Sequence, residues 1–208
     1  MYTLYYAPGA ASMVVHWLLI EFGAKHELRR LDLDAKDQKR PEYLALNPRG
    51  VVPTLLVHGE PLTESAALVM HLADAHPSFG MAPEPGSVER GRYYQWILFL
   101  ANTVMPAFRT WWYPHEAPGG PEAAKADAER RIHEAWDLLE AHLAKRGPYL
   151  LGPSVCAADF LLCMLMRWSR KMARPATEWP QLAAHAQRMK ARPSFRTLYE
   201  REGLTEWL

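Results

Sequence analysis

Cysteine is scarce in this chain, with Cys156 and Cys163 the only two among 208 residues. They sit seven apart in a helical pattern, which separates their backbones by roughly 10 Å at about 1.5 Å of rise per residue, too far for a disulfide. Both read as packing residues in a reducing compartment. Excess charge is also lacking: 24 Lys and Arg against 23 Asp and Glu leave no net field to attract nucleic acid or an anionic membrane. No uninterrupted apolar run approaches the roughly 20 residues that span a bilayer. The N-terminus enters the strand-like Thr3-Leu4-Tyr5-Tyr6 without a basic region and apolar stretch before it, so a cytoplasmic location is expected. His16 and His71 fall in amphipathic helical patterns and His58 in a turn. No His, Cys, Asp and Glu set has spacing suited to a metal, and none is expected. Apolar residues are abundant: 49% hydrophobic and 11% aromatic supply a core for one large domain or two modest ones.

The pattern changes character after the first third. From Met1 to about His76, strand-like and helix-like segments alternate: Thr3 to Tyr6, Ser12 to Phe22, Leu28 to Leu33, Thr54 to Val57, Pro61-Leu62, then Ser65 to Ala75. That order predicts a small mixed sheet with helices on both faces. Pro77, Gly80, Pro83, Pro85 and Gly86 cannot continue a helix and mark a linker. Beyond them only 3.6-residue periodicity is found. It predicts helices at about Val88 to Thr110, Glu122 to Lys145, Ala157 to Lys171, Pro180 to Ala191 and Pro193 to Glu202.

Two short segments carry the functional signal, Asn47-Pro48-Arg49-Gly50-Val51-Val52-Pro53-Thr54-Leu55 and Pro61-Leu62-Thr63-Glu64-Ser65. A proline directly before the β-prone Thr54 to Val57 is permitted only at a strand's first residue or on an edge, and a cis Val52-Pro53 bond would swing the preceding backbone outward. The N–H and C=O of Val52 would then be free to pair with an extended peptide. Glu64 offers a carboxylate for an ammonium group. Ser65, at a helix start, offers a hydroxyl and backbone N–H groups for a carboxylate. The implied ligand is small, extended and zwitterionic.

These residues, with Tyr5-Tyr6 and the Pro8-Gly9-Ala10-Ala11-Ser12 loop, resemble the glutathione-binding half of cytosolic glutathione transferases, nearest the bacterial beta class. Gly152, Asp159, Arg167-Trp168 and Met189-Lys190-Ala191-Arg192-Pro193 resemble its helical half. The resemblance implies an α/β thioredoxin-like domain over 1–77, a linker over 78–86 and an all-α domain over 87–208. It further implies glutathione as co-substrate, a hydrophobic electrophile as second substrate and a homodimer.

Glutathione chemistry turns on one proton. A free thiol with pKa near 8.5 is only about 3% thiolate at pH 7, and lowering it by two units takes roughly 2.7 kcal/mol of selective stabilisation. Ser12, placed before the helical Met13 to Leu19, is the first candidate to aim a hydroxyl and first-turn N–H groups at the sulfur, though serine is also a preferred helix cap. Tyr6 is the second, since a phenol at the end of the first strand can donate to a thiolate. By the resemblance Lys36 meets the glycine carboxylate of glutathione. Ala10, Ala11, Met105, Phe108, Arg109, Trp112, Tyr113 and Trp168 are implied to form the electrophile pocket, whose flat apolar walls suit an aromatic partner.

The chain also departs from the beta class. That class has a cysteine at Ala11, a histidine at Met105 and a cross-subunit asparagine at Leu98. Without a thiol at Ala11 no mixed disulfide with glutathione can form there, which favours hydroxyl-assisted conjugation or displacement over glutaredoxin-like reduction. Glutathione-dependent peroxide reduction is one alternative. A non-catalytic ligand carrier or protein-interaction module is another. Maleylacetoacetate-type isomerisation is disfavoured because its Ser-Ser-Cys loop reads Ala10-Ala11-Ser12 here. Asp159 belongs to folding: the family's capping box pairs it with a serine or threonine three residues earlier, where this chain has Cys156, a poorer acceptor.

Overall fold

The computed structural model describes residues 1–207, which group into two compact units. The first comprises Met1–Met81 together with the chain from Lys190 onward, and the second is Ala82–Met189. The chain from Lys190 onward, within the range 87–208 expected to be all-helical, groups with the first unit.

The first unit is built on a four-stranded sheet in the order β2-β1-β3-β4. Strand β1 (Tyr2–Tyr6) pairs in parallel with β2 (His26–Arg30) and antiparallel with β3 (Thr54–Val57), which pairs antiparallel with β4 (Glu60–Thr63). Strand β2 begins two residues earlier than its hydrophobic pattern suggests. Pairing of Tyr2 with His26 starts as soon as the turn at Gly23 is complete, so ladder position overrides side-chain pattern. Helix α1 (Met13–Glu21) carries the crossover between β1 and β2, and the single turn α2 (Pro41–Leu44) precedes the Asn47 segment. Helix α3 (Ser65–Ala75) follows β4.

Helix α1 is not amphipathic. Every residue from Met13 to Leu19 is buried, because α3 covers one flank and the last helix covers another. A helix apolar all round can lie only inside a core. The helix that covers it is α9 (Pro193–Glu202), whose Ser194 hydroxyl accepts from Trp17 Nε1 at 2.9 Å while Arg192 and Ser194 both reach the Glu21 carboxylate.

The second unit is helical throughout its described elements: α4 (Val88–Phe99), α5 (Met105–Trp112), α6 (Pro121–Arg146), α7 (Ala157–Trp168) and α8 (Pro180–Lys190). The helix expected from Val88 to Thr110 is broken in register by a π-helical turn over Leu100–Val104. Pro106 accounts for it: the residue has no N–H to give its i−4 carbonyl, so the ladder must readjust upstream. Helix α7 is the core of this unit, with every residue from Ala157 to Arg167 buried. Its start is held as a capping box in which the Cys156 sulfur accepts from the Asp159 N–H and Asp159 accepts from the Cys156 N–H at 2.8 Å. Asp159 also accepts from Leu150 N at 2.9 Å and lies 2.9 Å from His185 Nε2. Among the described residues no helix is long and apolar enough to cross a membrane.

Candidate active site

The peptide edge is built by residues that lock its neighbours and leave Val52 open. The Val51 carbonyl accepts from both Tyr43 Oη (2.7 Å) and Asn47 Nδ2 (2.8 Å), and both side chains also meet Thr54 Oγ1. Asn47 is almost fully buried, and its own Oδ1 accepts from the Arg49 N–H. Lys39 Nζ donates to the Arg49 carbonyl at 3.1 Å. Val52-Pro53 is cis. With Val51 so fixed, neither the N–H nor the C=O of the half-buried Val52 has a partner among the described residues. An unpaired backbone edge whose neighbours are tied down is what strand addition by a short peptide requires.

Glu64 and Ser65 sit together at the start of α3. Glu64 has φ 67° and ψ 109°, a conformation that costs a non-glycine residue on the order of 1–3 kcal/mol and is typical of residues held for function. Its carboxylate is exposed and paired with the Arg49 guanidinium. Ser65 is buried, and its hydroxyl donates to the Ala11 carbonyl at 3.1 Å. That hydroxyl, expected to meet a ligand carboxylate, instead ties α3 to the Pro8–Ser12 loop, leaving the backbone N–H groups of the helix start for an anion. Lys36 is exposed, adopts a left-handed φ of 60° and opens a short 3₁₀ turn.

Ser12 requires a correction. Its backbone is already helical, φ −69° and ψ −19°, and it makes no side-chain cap, because a capping side chain needs the extended backbone that Ser12 lacks. The side chain is fully buried; its hydroxyl accepts from Ala7 N and donates to Ala7 O, both at 3.1 Å. Its one proton is committed to closing the loop from inside, so the hydroxyl expected at the sulfur faces Ala7. The half-buried Ala11 lies in the same loop, and among the described residues the N–H groups of Ala11 and Ser12 have no partner.

Tyr6 and Tyr5 divide as strand alternation requires. Tyr5 packs against Tyr43, with ring centroids 5.5 Å apart, and Tyr6 packs against His16 at 5.7 Å. The Tyr6 hydroxyl has no hydrogen-bonding partner among the described residues. Burial pushes the Tyr6 phenol up, the Glu202 carboxylate adds to the rise, and Arg30 opposes it. Tyr6 is thus a proton donor that stays protonated through the neutral range.

In the second unit the expected pocket residues separate into two groups. Phe108 has no exposed surface and lies against Trp136 and Trp168, at centroid distances of 6.0 and 5.9 Å. Contrary to expectation it is core and cannot form an open wall. Trp112 and Tyr113 are exposed at the end of α5, Met105 is half-buried after the π-helical turn, and Trp168 is half-buried. Arg109 caps this end: its guanidinium lies 4.2 Å from the Tyr113 ring and donates twice to Glu116. Among the described residues no group of three or more His, Cys, Asp or Glu is arranged so that it could hold a metal ion.

Sequence reasoning missed Tyr43, Lys39 and Glu202. Nothing near Tyr43 or Lys39 in the pattern singles them out. Glu202 lies far along the chain from the loop it touches, and its signal is a carboxylate in the last turn of a helix just before Gly203, where the helix dipole disfavours an anion.

A four-stranded thioredoxin-like sheet with an unpaired backbone edge at Val52, followed by an all-helical unit, defines a class of two-part thioredoxin-like proteins. Residues 1–74 match the model of the glutathione S-transferase N-terminal domain and residues 102–201 match that of its C-terminal domain. A glutathione S-transferase of Xanthomonas campestris is 31% identical over 97% of this chain and 98% of its own length. Among solved structures, a sphingomonad glutathione S-transferase complexed with glutathione superposes with a TM-score of 0.86 at 31% identity, covering 98% of this chain and all of that one. A bacterial beta class enzyme from Sphingomonas chungbukensis does so with 0.86 at 30% identity, over 98% and 100%. The chain belongs to the glutathione S-transferase family.

Proposed function

We propose that this protein binds glutathione along the backbone of Val52, raises its thiolate fraction, and adds the sulfur to a hydrophobic electrophile by conjugation or displacement of a leaving group. The unpartnered N–H and C=O of Val52, beside a segment otherwise fully tied down, carry this reading. The α-carboxylate of the γ-glutamyl residue goes to the N–H groups at Ser65 and its ammonium to Glu64; Lys36 takes the glycine carboxylate. The sulfur lies at the start of α1, where the N–H groups of Ala11 and Ser12 and the helix dipole favour the thiolate. Tyr6 supplies the hydroxyl donor, supported by its unpartnered phenol, and the buried Ser12 holds the loop that presents the sulfur. Met105, Trp112, Tyr113 and Trp168 receive the electrophile, with Arg109 anchoring Tyr113. The protein acts as a cytoplasmic homodimer, for which Val88, Tyr94 and Leu98 on α4 provide exposed apolar surface.

The test is a pH titration of thiolate absorbance for bound glutathione in the parent, Tyr6→Phe and Ser12→Ala. Tyr6→Phe is expected to raise the thiolate pKa by about one unit, as loss of one hydrogen bond to a charged group implies. Ser12→Ala is expected to lower stability and affinity more than it moves that pKa. An unshifted pKa in Tyr6→Phe refutes the role of Tyr6, and a parent that binds no glutathione refutes the function.

A further inference from the structure

The Pro8–Ser12 loop is held from three sides by side chains that reach its backbone. Ser12 closes on Ala7 from within, Ser65 takes the Ala11 carbonyl from α3, and the third tether comes from the far end of the chain. Glu202, in the last turn of α9, accepts the Gly9 N–H at its Oε2 over 2.8 Å and lies 2.8 Å from His16 Nδ1 at its Oε1. Both side chains, Glu202 and His16, are completely buried. A carboxylate only accepts, so His16 carries its proton on Nδ1, and its buried Nε2 is left without a partner. The groups that face this pair are Tyr6, on the His16 ring and within the field of Glu202, and His26, edge-on to His16 at 5.6 Å with Arg201 beyond it. One carboxylate therefore fixes the loop's backbone, the helix α1 that follows the loop, and the surroundings of the phenol.

We propose that Glu202 is a positioning residue for glutathione activation, clamping Gly9 and His16 so that the loop N–H groups and the Tyr6 hydroxyl converge on the sulfur. The proposal rests on the glutathione-binding reading above. It differs from a purely structural role in one respect. A stabilising contact alone changes the folded fraction, whereas a clamp sets the geometry of donors that must meet a charge, and a small displacement there is felt in the chemistry. Glu202→Gln can keep both contacts, accepting Gly9 N–H at its oxygen and donating from its amide to a His16 whose proton has moved to Nε2. Glu202→Asp keeps the charge but withdraws it by one methylene.

The experiment measures glutathione affinity by calorimetry, kcat/KM for conjugation of a chlorodinitrobenzene probe against pH, and the thermal midpoint of the parent, E202Q, E202D and E202A. E202D and E202A are expected to lose about tenfold or more in kcat/KM and to move the alkaline-going midpoint of its pH profile upward, while E202Q stays within about threefold of the parent. A folded E202D with the parent's kcat/KM and pH midpoint, whatever its thermal midpoint, overturns the proposal; so does E202Q falling as far as E202A. Should E202A fail to fold, E202D against E202Q decides. If the parent itself binds no glutathione, both the underlying reading and this one fall; if it binds and the variants match it, only the clamp falls.

Discussion

Replacing Asp159 by alanine should be the most damaging single change that leaves the Val52 edge untouched. The side chain is completely buried. Its Oδ1 serves Leu150 N and His185 Nε2, and its Oδ2 serves Cys156 N. Alanine strands two backbone donors and a buried imidazole, each costing on the order of 1–3 kcal/mol when left unpaired; breaking a buried ionic contact from one side costs about 3–5 kcal/mol in total. At roughly 2–4 °C per kcal/mol for a chain of this size, the thermal midpoint should fall by about 10 °C or more. Urea unfolding followed by tryptophan fluorescence should show a lower midpoint at unchanged slope. Asp159→Asn separates the parts: its remaining oxygen can keep Leu150 and His185 while its amide meets the Cys156 N–H, so the loss should be about one donor, near 1–2 kcal/mol. If Asp159→Ala unfolds within about 2 °C of the parent, or if Asn costs as much as Ala, the three-acceptor account of this carboxylate is wrong.

Cys156 makes a second prediction at alkaline pH. Burial first, then the neighbouring Asp159, raises its thiol pKa well above the ordinary value. The unfolded thiol therefore ionises first, so its contribution to stability is complete below about pH 8.5 and is lost as pH rises from there. Cys156→Ser should gain up to about 1 kcal/mol at pH 7 from a better capping oxygen and lose less stability than the parent between pH 8 and 10 in paired thermal melts; parallel curves would refute it. Gly50→Ala should weaken glutathione binding. Gly50 has φ 56°, and a Cβ there would come within 2.7 Å of the Gln38 carbonyl oxygen, so the segment leading to Val52 must move, at a cost on the order of 1–3 kcal/mol. Calorimetric titration that returns the parent's affinity would show that the Val52 edge does not depend on this turn.

Local pattern carried most of the architecture because its punctuating residues act over short range. The proline before Thr54, the helix-breaking run from Pro77 to Gly86 and the acid-hydroxyl pair at Glu64-Ser65 each have a physical meaning within a few residues of chain. Ser12 misled for the same reason. From sequence a serine before an apolar helix reads as a cap, yet whether it caps depends on a backbone angle that the tertiary fold sets, and here that angle is helical. Phe108 misled because aromatics at a helix end read alike whether they face a cavity or a neighbouring indole; only the positions of Trp136 and Trp168 distinguish the two.

Contacts that join distant parts of the chain were the least legible, and Glu202 shows why. Helix α9 reads as one more amphipathic segment after a linker and four helices, so nothing places it with the first unit rather than the second. Its partner Gly9 contributes only a backbone N–H, which no side-chain pattern records, and His16 stands in a helix so apolar on every side that a single imidazole reads as packing. The signal is energetic instead. An anion near the carbonyl end of a helix costs several tenths of a kcal/mol against the dipole, and a buried one costs far more unless it is paired and hydrogen-bonded. A glutamate in that position, in a last turn whose neighbours Leu198 and Tyr199 are buried, must find donors in whatever it packs against. The donors it finds are the Gly9 N–H of the Pro8–Ser12 loop and His16 on α1.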